Sequence, residues 1–191
     1  MRRAAGLVML AILAAPGPLP SSSHSDYVSA QRKFDLIESD RLKPGAQVLL
    51  SQKELNAWVE AELPKAAPEG VRNTKLELGA GSAVGTALVD FIKLGQAHGK
   101  PPGWLMSKLL EGEHPVSVTA RMVSGGGRAT VEVERVEVGG VAIEGRMLDF
   151  LIHNYLLPAY PDAKVGEPFE LGHHIERIDV KPGAAAVIIG R

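Results

Sequence analysis

The chain contains no cysteine, few aromatic residues and no excess of either charge. Without cysteine it has no disulfide bond, no thiol nucleophile and no lipid-attachment site of the bacterial lipoprotein type. Lys and Arg number 21 against 22 Asp and Glu, which gives a net charge of −1. This balance argues against a broad basic face and therefore against nucleic acid as a partner.

One long apolar run is present, at the amino terminus. Arg2 and Arg3 precede apolar residues 4–15, and a segment rich in Pro, Gly and Ser follows over residues 16–25. The run is too short for a membrane span, which needs roughly 20 apolar residues. Its length and its charged and polar flanks are typical of a secretory signal. We predict a signal peptide over residues 1–23, with an uncleaved anchor as the alternative. The protein is then expected to be extracytoplasmic, that is, periplasmic or secreted. It is expected to be tethered to the membrane if this segment is not cleaved.

The rest of the chain has the length of one domain. Apolar Tyr27, Ala30, Phe34 and Ile37 recur at helical spacing, so residues 24–45 are predicted to hold an N-terminal amphipathic helix. Residues 46–191 are predicted to form a single α+β domain. Its first helix is expected to start at Gln52, because residues 51–54 have the capping-box pattern.

Alternating apolar residues predict antiparallel hairpins in this domain. The clearest hairpin runs from Val116 to Val138 around Gly125, Gly126 and Gly127, and another lies over residues 175–189. The alternation changes phase at residues 134–135, which predicts a β-bulge and a strongly curved sheet. Residues 145–157 read as a helix that is apolar nearly all round and must be covered. The predicted fold is therefore a strongly curved antiparallel sheet wrapped around a long apolar helix, with additional short helices.

Catalytic and metal-binding patterns are absent from the sequence. His173 and His174 are expected to point to opposite faces of a strand, and His98 and His114 to lie in solvated loops. Asp90 is expected to face outward or to bond a neighbouring backbone group. We therefore predict no enzyme activity, no metal and no cofactor.

Apolar side chains are the remaining candidates for a site. They are predicted to line an elongated cavity between sheet and helices, although a filled core is the alternative. The candidate ligand-binding residues are Trp58, Phe91, Trp104, Met106, Met147, Phe150, Leu151 and Tyr155.

Three stretches resemble the extracytoplasmic bacterial proteins related to the tubular lipid-binding (TULIP) superfamily. They are LLSQKELN at residues 49–56, the glycine-turn hairpin over residues 116–138, and GGVAI at residues 139–143 before the apolar helix. The resemblance spans residues 46–191. It implies a bent sheet around a long helix and, for some members, lipid binding, but no catalytic residues.

The expected function is that of an exported, non-enzymatic envelope protein that binds a lipid or other elongated apolar ligand. The alternative is a structural or protein-interaction module of the envelope with a filled core. The expected partners are accordingly a lipid or apolar small molecule, a membrane surface or an envelope protein.

Overall fold

Antiparallel strands make up most of the structure, a computed structural model that describes residues 21–66, 70–93, 111–153 and 164–191. The helices and strands occur along the chain in the order α1 (Ser21–Glu38), β1 (Gln47–Ser51), α2 (Gln52–Ala66), β2 (Val71–Leu78), β3 (Ser82–Asp90), β4 (Glu113–Gly125), β5 (Arg128–Val138), β6 (Val141–Ile143), α3 (Gly145–Leu151), β7 (Phe169–Glu170), β8 (Ile175–Lys181) and β9 (Ala184–Ile189).

The strands of the described segments form two sheets. The small sheet has the order β1-β9-β8, and the large sheet has the order β2-β3-β4-β5-β6, with β7 pairing with β5. All these strand pairs are antiparallel. The α+β class is confirmed, with two antiparallel sheets rather than the single sheet that the sequence predicts.

The predicted capping box is present at the start of α2. The Glu54 backbone N–H donates to Ser51 Oγ at 3.2 Å, and the Ser51 N–H donates to Glu54 Oε2 at 2.7 Å. These two bonds satisfy backbone donors that a helix start would otherwise leave open. As a result, the chain passes directly from β1 into α2.

The predicted bulge lies in β5. Thr119 of β4 pairs with Arg135 and the next residue, Ala120, pairs with Val133, so Glu134 is the extra residue. The hairpin turn is also confirmed, since Gly126 and Gly127 have φ values of +60° and +76° between the paired ends of β4 and β5. These left-handed values suit a tight hairpin turn and are adopted most readily by glycine.

The long apolar helix is not found among the described residues. The described helix α3 has seven residues, and positions 154–157 of the predicted helix lie outside the described part of the chain. Met147 is 49% exposed and Phe150 is 43% exposed, so the sheet does not cover α3 on these sides. Apolar periodicity shows that a helix has an apolar face, but the arrangement of the other elements decides what covers it. Strong curvature of the sheet remains a prediction.

Side chains of α2 cover the outer edge of β2. Asn56 Nδ2 donates to the Leu76 C=O at 2.8 Å, and Asn56 Oδ1 accepts from the Leu76 N–H at 2.7 Å. Gln52 Oε1 accepts from the Leu78 N–H at 3.0 Å. The two amides take the place of a neighbouring strand, which protects this edge from pairing with another chain.

Among the residues that the structure describes, the buried ones form two clusters. The first joins the small sheet, α1 and the adjoining part of the large sheet, and includes Ile37, Leu50, Leu78, Ile175 and Val187. The second cluster lies at the far end of the large sheet. It consists of Val71, Ala87, Val89, Phe91 and Val116, with Val118 and Val138 packed against it.

Candidate functional site

The pairing of the strands places the second cluster on one face of the large sheet. Val71 pairs with Val89 across β2 and β3, and Ala87 pairs with Val116 across β3 and β4. Phe91 follows β3 directly and is only 5% exposed. The other face of these strands carries Ser117, Thr119, Arg121 and Glu137, so the sheet has one apolar and one polar face.

Two ion pairs lie at the same end of the sheet. The Arg72 guanidinium bonds the Glu113 carboxylate, and Lys93 Nζ lies 3.4 Å from Asp90 Oδ2. The hydrogen bond from Arg72 lowers the pKa of Glu113, and the same bond raises the pKa of Arg72. The two basic and two acidic groups cancel in charge, so together they add no net charge to this end of the sheet.

Asp90 has one of its two predicted roles, since its carboxylate bonds neighbouring backbone groups. Its Oδ1 accepts from the N–H groups of Ile92 and Lys93, both at 3.1 Å, where residues 91–93 begin a helical turn. The carboxylate therefore caps this turn and orients Phe91 after β3. Asn56 is likewise structural, through the bonds to Leu76 described above.

His114 does not lie in a solvated loop, which corrects the prediction. It is the second residue of β4 and pairs with Val89 of the second cluster. Its ring centroid lies 6.2 Å from that of Phe91, and its Nε2 atom is buried without a hydrogen-bond partner. The position of His114 in a strand was not predictable from sequence, because the pairing with Val89 is not visible in the local pattern around Pro115.

Exposed apolar side chains follow this end of the sheet along the chain. The Gly139 N–H donates to the Pro115 C=O at 2.8 Å, which places the β5–β6 turn one residue from His114. Val141 in β6 is 64% exposed, and Met147 and Phe150 follow in α3. We call these three residues, Val141, Met147 and Phe150, the apolar corner.

The structure distributes the predicted ligand-binding residues over different regions. Phe91 belongs to the second cluster, whereas Trp58 in α2 packs against Phe34 in α1 with 4.9 Å between ring centroids. Met147, Phe150 and Leu151 belong to α3. Trp104, Met106 and Tyr155 lie outside the described residues. The role of the whole set in ligand binding remains a prediction.

His173 and His174 lie in a turn before β8, not on a strand as predicted. Both have left-handed φ values, +47° and +53°, and His173 Nδ1 lies 3.2 Å from Asp40 Oδ1. The turn forms because the Ile175 N–H bonds back to the Gly172 C=O. Within the four described segments, no group of three or more His, Asp or Glu side chains is placed to hold a metal ion.

Glu54 is the one buried charged residue of the described segments, and its role is structural. Lys33 Nζ and Ser29 Oγ both donate to its Oε1 at 2.5 Å, so the carboxylate connects α1 to the start of α2. Burial alone raises the pKa of Glu54, but the hydrogen bonds from Lys33, Ser29 and Ser51 outweigh this and lower it to about 2.

The helices that the structure describes include none that is both long and apolar enough to cross a membrane. A scan of protein-family models finds no match to the chain, and searches of curated proteins and of solved structures find no match either.

Proposed function

We propose that the protein is an exported, non-enzymatic envelope protein that binds a lipid or other elongated apolar ligand at the second-cluster end of the large sheet. The observation that carries the proposal is the apolar corner. Val141, Met147 and Phe150 are all more than 40% exposed, and they follow a strand whose last residue, Val138, packs against the second cluster.

The physical driving force is the removal of apolar surface from water. Scattered single apolar residues are ordinary on protein surfaces, whereas three exposed ones within ten positions of the chain support an interaction site. An acyl chain gains about 0.8 kcal/mol for each methylene that it buries. An acyl chain that covers the apolar corner therefore gains binding free energy without needing a polar contact to the protein.

The signal-like amino terminus and the resemblance to lipid-binding proteins support a lipid as the ligand. Without residues 1–23 the chain keeps 19 basic and 22 acidic residues, for a net charge of −3. This charge gives no general attraction to anionic polymers, whereas membrane lipid is the abundant apolar compound outside the cytoplasm.

Displacement of a fluorescent fatty acid tests the proposal. The full chain is expected to bind the probe, and native mass spectrometry of protein from a membrane-containing host is expected to show co-purifying lipid. The Met147→Ser/Phe150→Ser double variant is expected to weaken probe binding by about tenfold or more, through lost apolar burial.

Val123→Ser is the matched control. Val123 is 62% exposed on the polar face of β4, so its substitution changes surface hydrophobicity without touching the apolar corner. Equal binding by the double variant and the wild type would contradict the proposed site. A clean apo mass together with no probe binding by the wild type would refute lipid binding altogether.

The second candidate function is a structural or protein-interaction module of the envelope. It is favoured by Leu36 and Leu49, which are 45% and 54% exposed on α1 and β1. Lys33 joins these elements, since its Nζ donates to the Leu49 C=O at 2.7 Å. This candidate predicts that Leu36→Ser and Leu49→Ser abolish association with an envelope protein. It also predicts that the wild type binds no lipid.

A further inference from the structure

Helix α1 runs antiparallel to α2. Near the start of α2, Lys33 Nζ donates to Glu54 Oε1 at 2.5 Å. About two turns further along α2, Tyr27 Oη donates to Glu62 Oε1, also at 2.5 Å. Helix α1 begins at Ser21, which is about 9 Å beyond Tyr27 along the helix axis. The start of α1 therefore lies beside the carboxyl end of α2.

Helix α2 in turn runs antiparallel to β2. The side-chain bonds from α2 to the edge of β2 move from Leu78 back to Leu76 as α2 advances, so the carboxyl end of α2 lies towards Val71. Across the sheet, Val71 pairs with Val89, and Val89 pairs with His114. The start of α1 is thus at the second-cluster end of the large sheet.

Val141 of the apolar corner lies at this same end. The Gly139 N–H bonds the Pro115 C=O near the start of β4, and Val141 pairs with Val138 across the β5–β6 turn. Strands β2 and β6 are four strand spacings apart in the sheet, which is about 19 Å. The start of α1 and Val141 therefore mark two sides of one end of the protein.

The chain that follows Val141 is exposed and carries little net charge. Met147 and Phe150 are three positions apart in α3, so their side chains share one face of the helix. From β6 to the end of α3 the charged residues are Glu144, Arg146 and Asp149, one basic and two acidic. Apolar burial, and not attraction to an anionic surface, is the force that such a segment offers to a partner.

The apolar run at the amino terminus also leads to this end. Only residues 16–20 separate the run, residues 4–15, from the start of α1. Five extended residues span at most about 18 Å. As an uncleaved anchor, the run holds the start of α1 within this distance of a membrane. As a cleaved signal, it brings the same end of the protein to the membrane during export.

We infer that the partner of the apolar corner is a lipid bilayer, and that the second-cluster end of the large sheet faces the membrane. The inference rests on the proposed function and names the partner, which is a bilayer surface and not a single extracted lipid. The start of α1 and the β5–β6 turn both face the bilayer in this orientation. The exposed side chains of the apolar corner enter its apolar part, as those of an interfacial helix do.

A fluorescent label that senses polarity tests this orientation. The chain has no cysteine, so the label attaches only to the thiol that Val141→Cys introduces. With the full chain in phosphatidylcholine vesicles, the label emission is expected to shift to shorter wavelength and to be quenched by brominated lipid. Both effects are expected to persist at high salt, because salt screens charges but does not weaken apolar burial.

Val123→Cys is the matched control. Val123 is 62% exposed and Val141 is 64% exposed, but Val123 lies eight residues from Pro115 along β4, which is about 26 Å away from the second-cluster end. Its label is expected to keep the emission that it has without vesicles. Adding Met147→Ser and Phe150→Ser to the Val141→Cys chain is expected to reduce the quenching about twofold or more, through lost apolar burial.

The outcomes separate this inference from the proposed function. No shift at position 141, equal shifts at positions 123 and 141, or a shift that high salt removes would each overturn bilayer docking. If the chain then still binds the fluorescent fatty acid, lipid binding stands and only the bilayer as partner is refuted. If it binds neither vesicles through this end nor the fatty acid, both proposals fail. A shift confined to position 141 supports the inference.

Discussion

The Ser124 hydroxyl makes two hydrogen bonds to the backbone of Ile178. It accepts from the Ile178 N–H at 2.8 Å and donates to the Ile178 C=O at 2.9 Å. On either side, the Gly127 N–H donates to the Glu176 C=O and the Gly81 N–H to the Val180 C=O, each at 2.9 Å. The outer edge of β8 is thus satisfied by the end of the large sheet, which joins the two sheets.

Ser124→Ala is expected to destabilise the protein by about 1–3 kcal/mol, because both backbone groups of Ile178 lose their partner. The measurement is the free energy of unfolding in urea, with Ser117→Ala on the polar face of β4 as the control. If the Ser124→Ala variant has the same free energy of unfolding as this control, the hydroxyl does not hold the two sheets together.

Asn56→Asp is expected to be more destabilising than Asn56→Ala. A carboxylate can still accept from the Leu76 N–H, but it presents an oxygen to the Leu76 C=O where the amide presents a donor. The difference is expected to be about 1 kcal/mol or more at neutral pH. Thermal unfolding of the two variants checks this order, and the reverse order would contradict the edge-covering role of Asn56.

The stability of the protein is expected to fall in acid through Glu54. Its pKa is about 2 in the folded protein and 4.5 when unperturbed, so it contributes its stabilisation above pH 4.5 and loses it as the pH falls towards 2. The full contribution is on the order of 3 kcal/mol. Glu54→Gln is expected to remove this part of the pH dependence, whereas Glu77→Gln, on the exposed side of β2, leaves it. Parallel pH profiles for wild type and Glu54→Gln would refute the assignment.

Gly127→Ala is expected to destabilise the β4–β5 hairpin by about 1 kcal/mol, because its φ of +76° is strained for any residue with a Cβ atom. Gly125→Ala is the control, since Gly125 has open space for a Cβ and no left-handed φ. The midpoint of thermal unfolding distinguishes the two substitutions. Equal midpoints would indicate that the turn relaxes to another conformation.

Features that depend on neighbouring residues in sequence were predictable. The capping box at Ser51 and Glu54 needs only residues three apart, and the bulge at Glu134 follows from a change of phase within one strand. The hairpin turn at Gly126 and Gly127 likewise needs only glycine between two alternating runs. In each case a short-range backbone requirement selects the residue type directly.

The remaining features depend on contacts between distant parts of the chain. The environment of His114 is set by its pairing with Val89, which is 25 positions earlier in the sequence. The two-sheet arrangement is set by contacts such as Ser124 to Ile178, between residues that no periodic pattern relates. Contacts between distant parts of the chain also decide what covers a helix. The sheet was therefore predicted to cover the apolar helix, whereas Met147 and Phe150 of α3 are exposed in the structure.

The sequence by itself determined the antiparallel α+β class, the positions of most strands, the cap, the bulge and the turn, because each is decided by backbone geometry over a few residues. Only the tertiary structure decided which side chains lie without a partner and which apolar residues stay exposed. Burial is a property of the assembled chain, since it depends on every element that packs nearby. The proposed site, the apolar corner, is of this second kind.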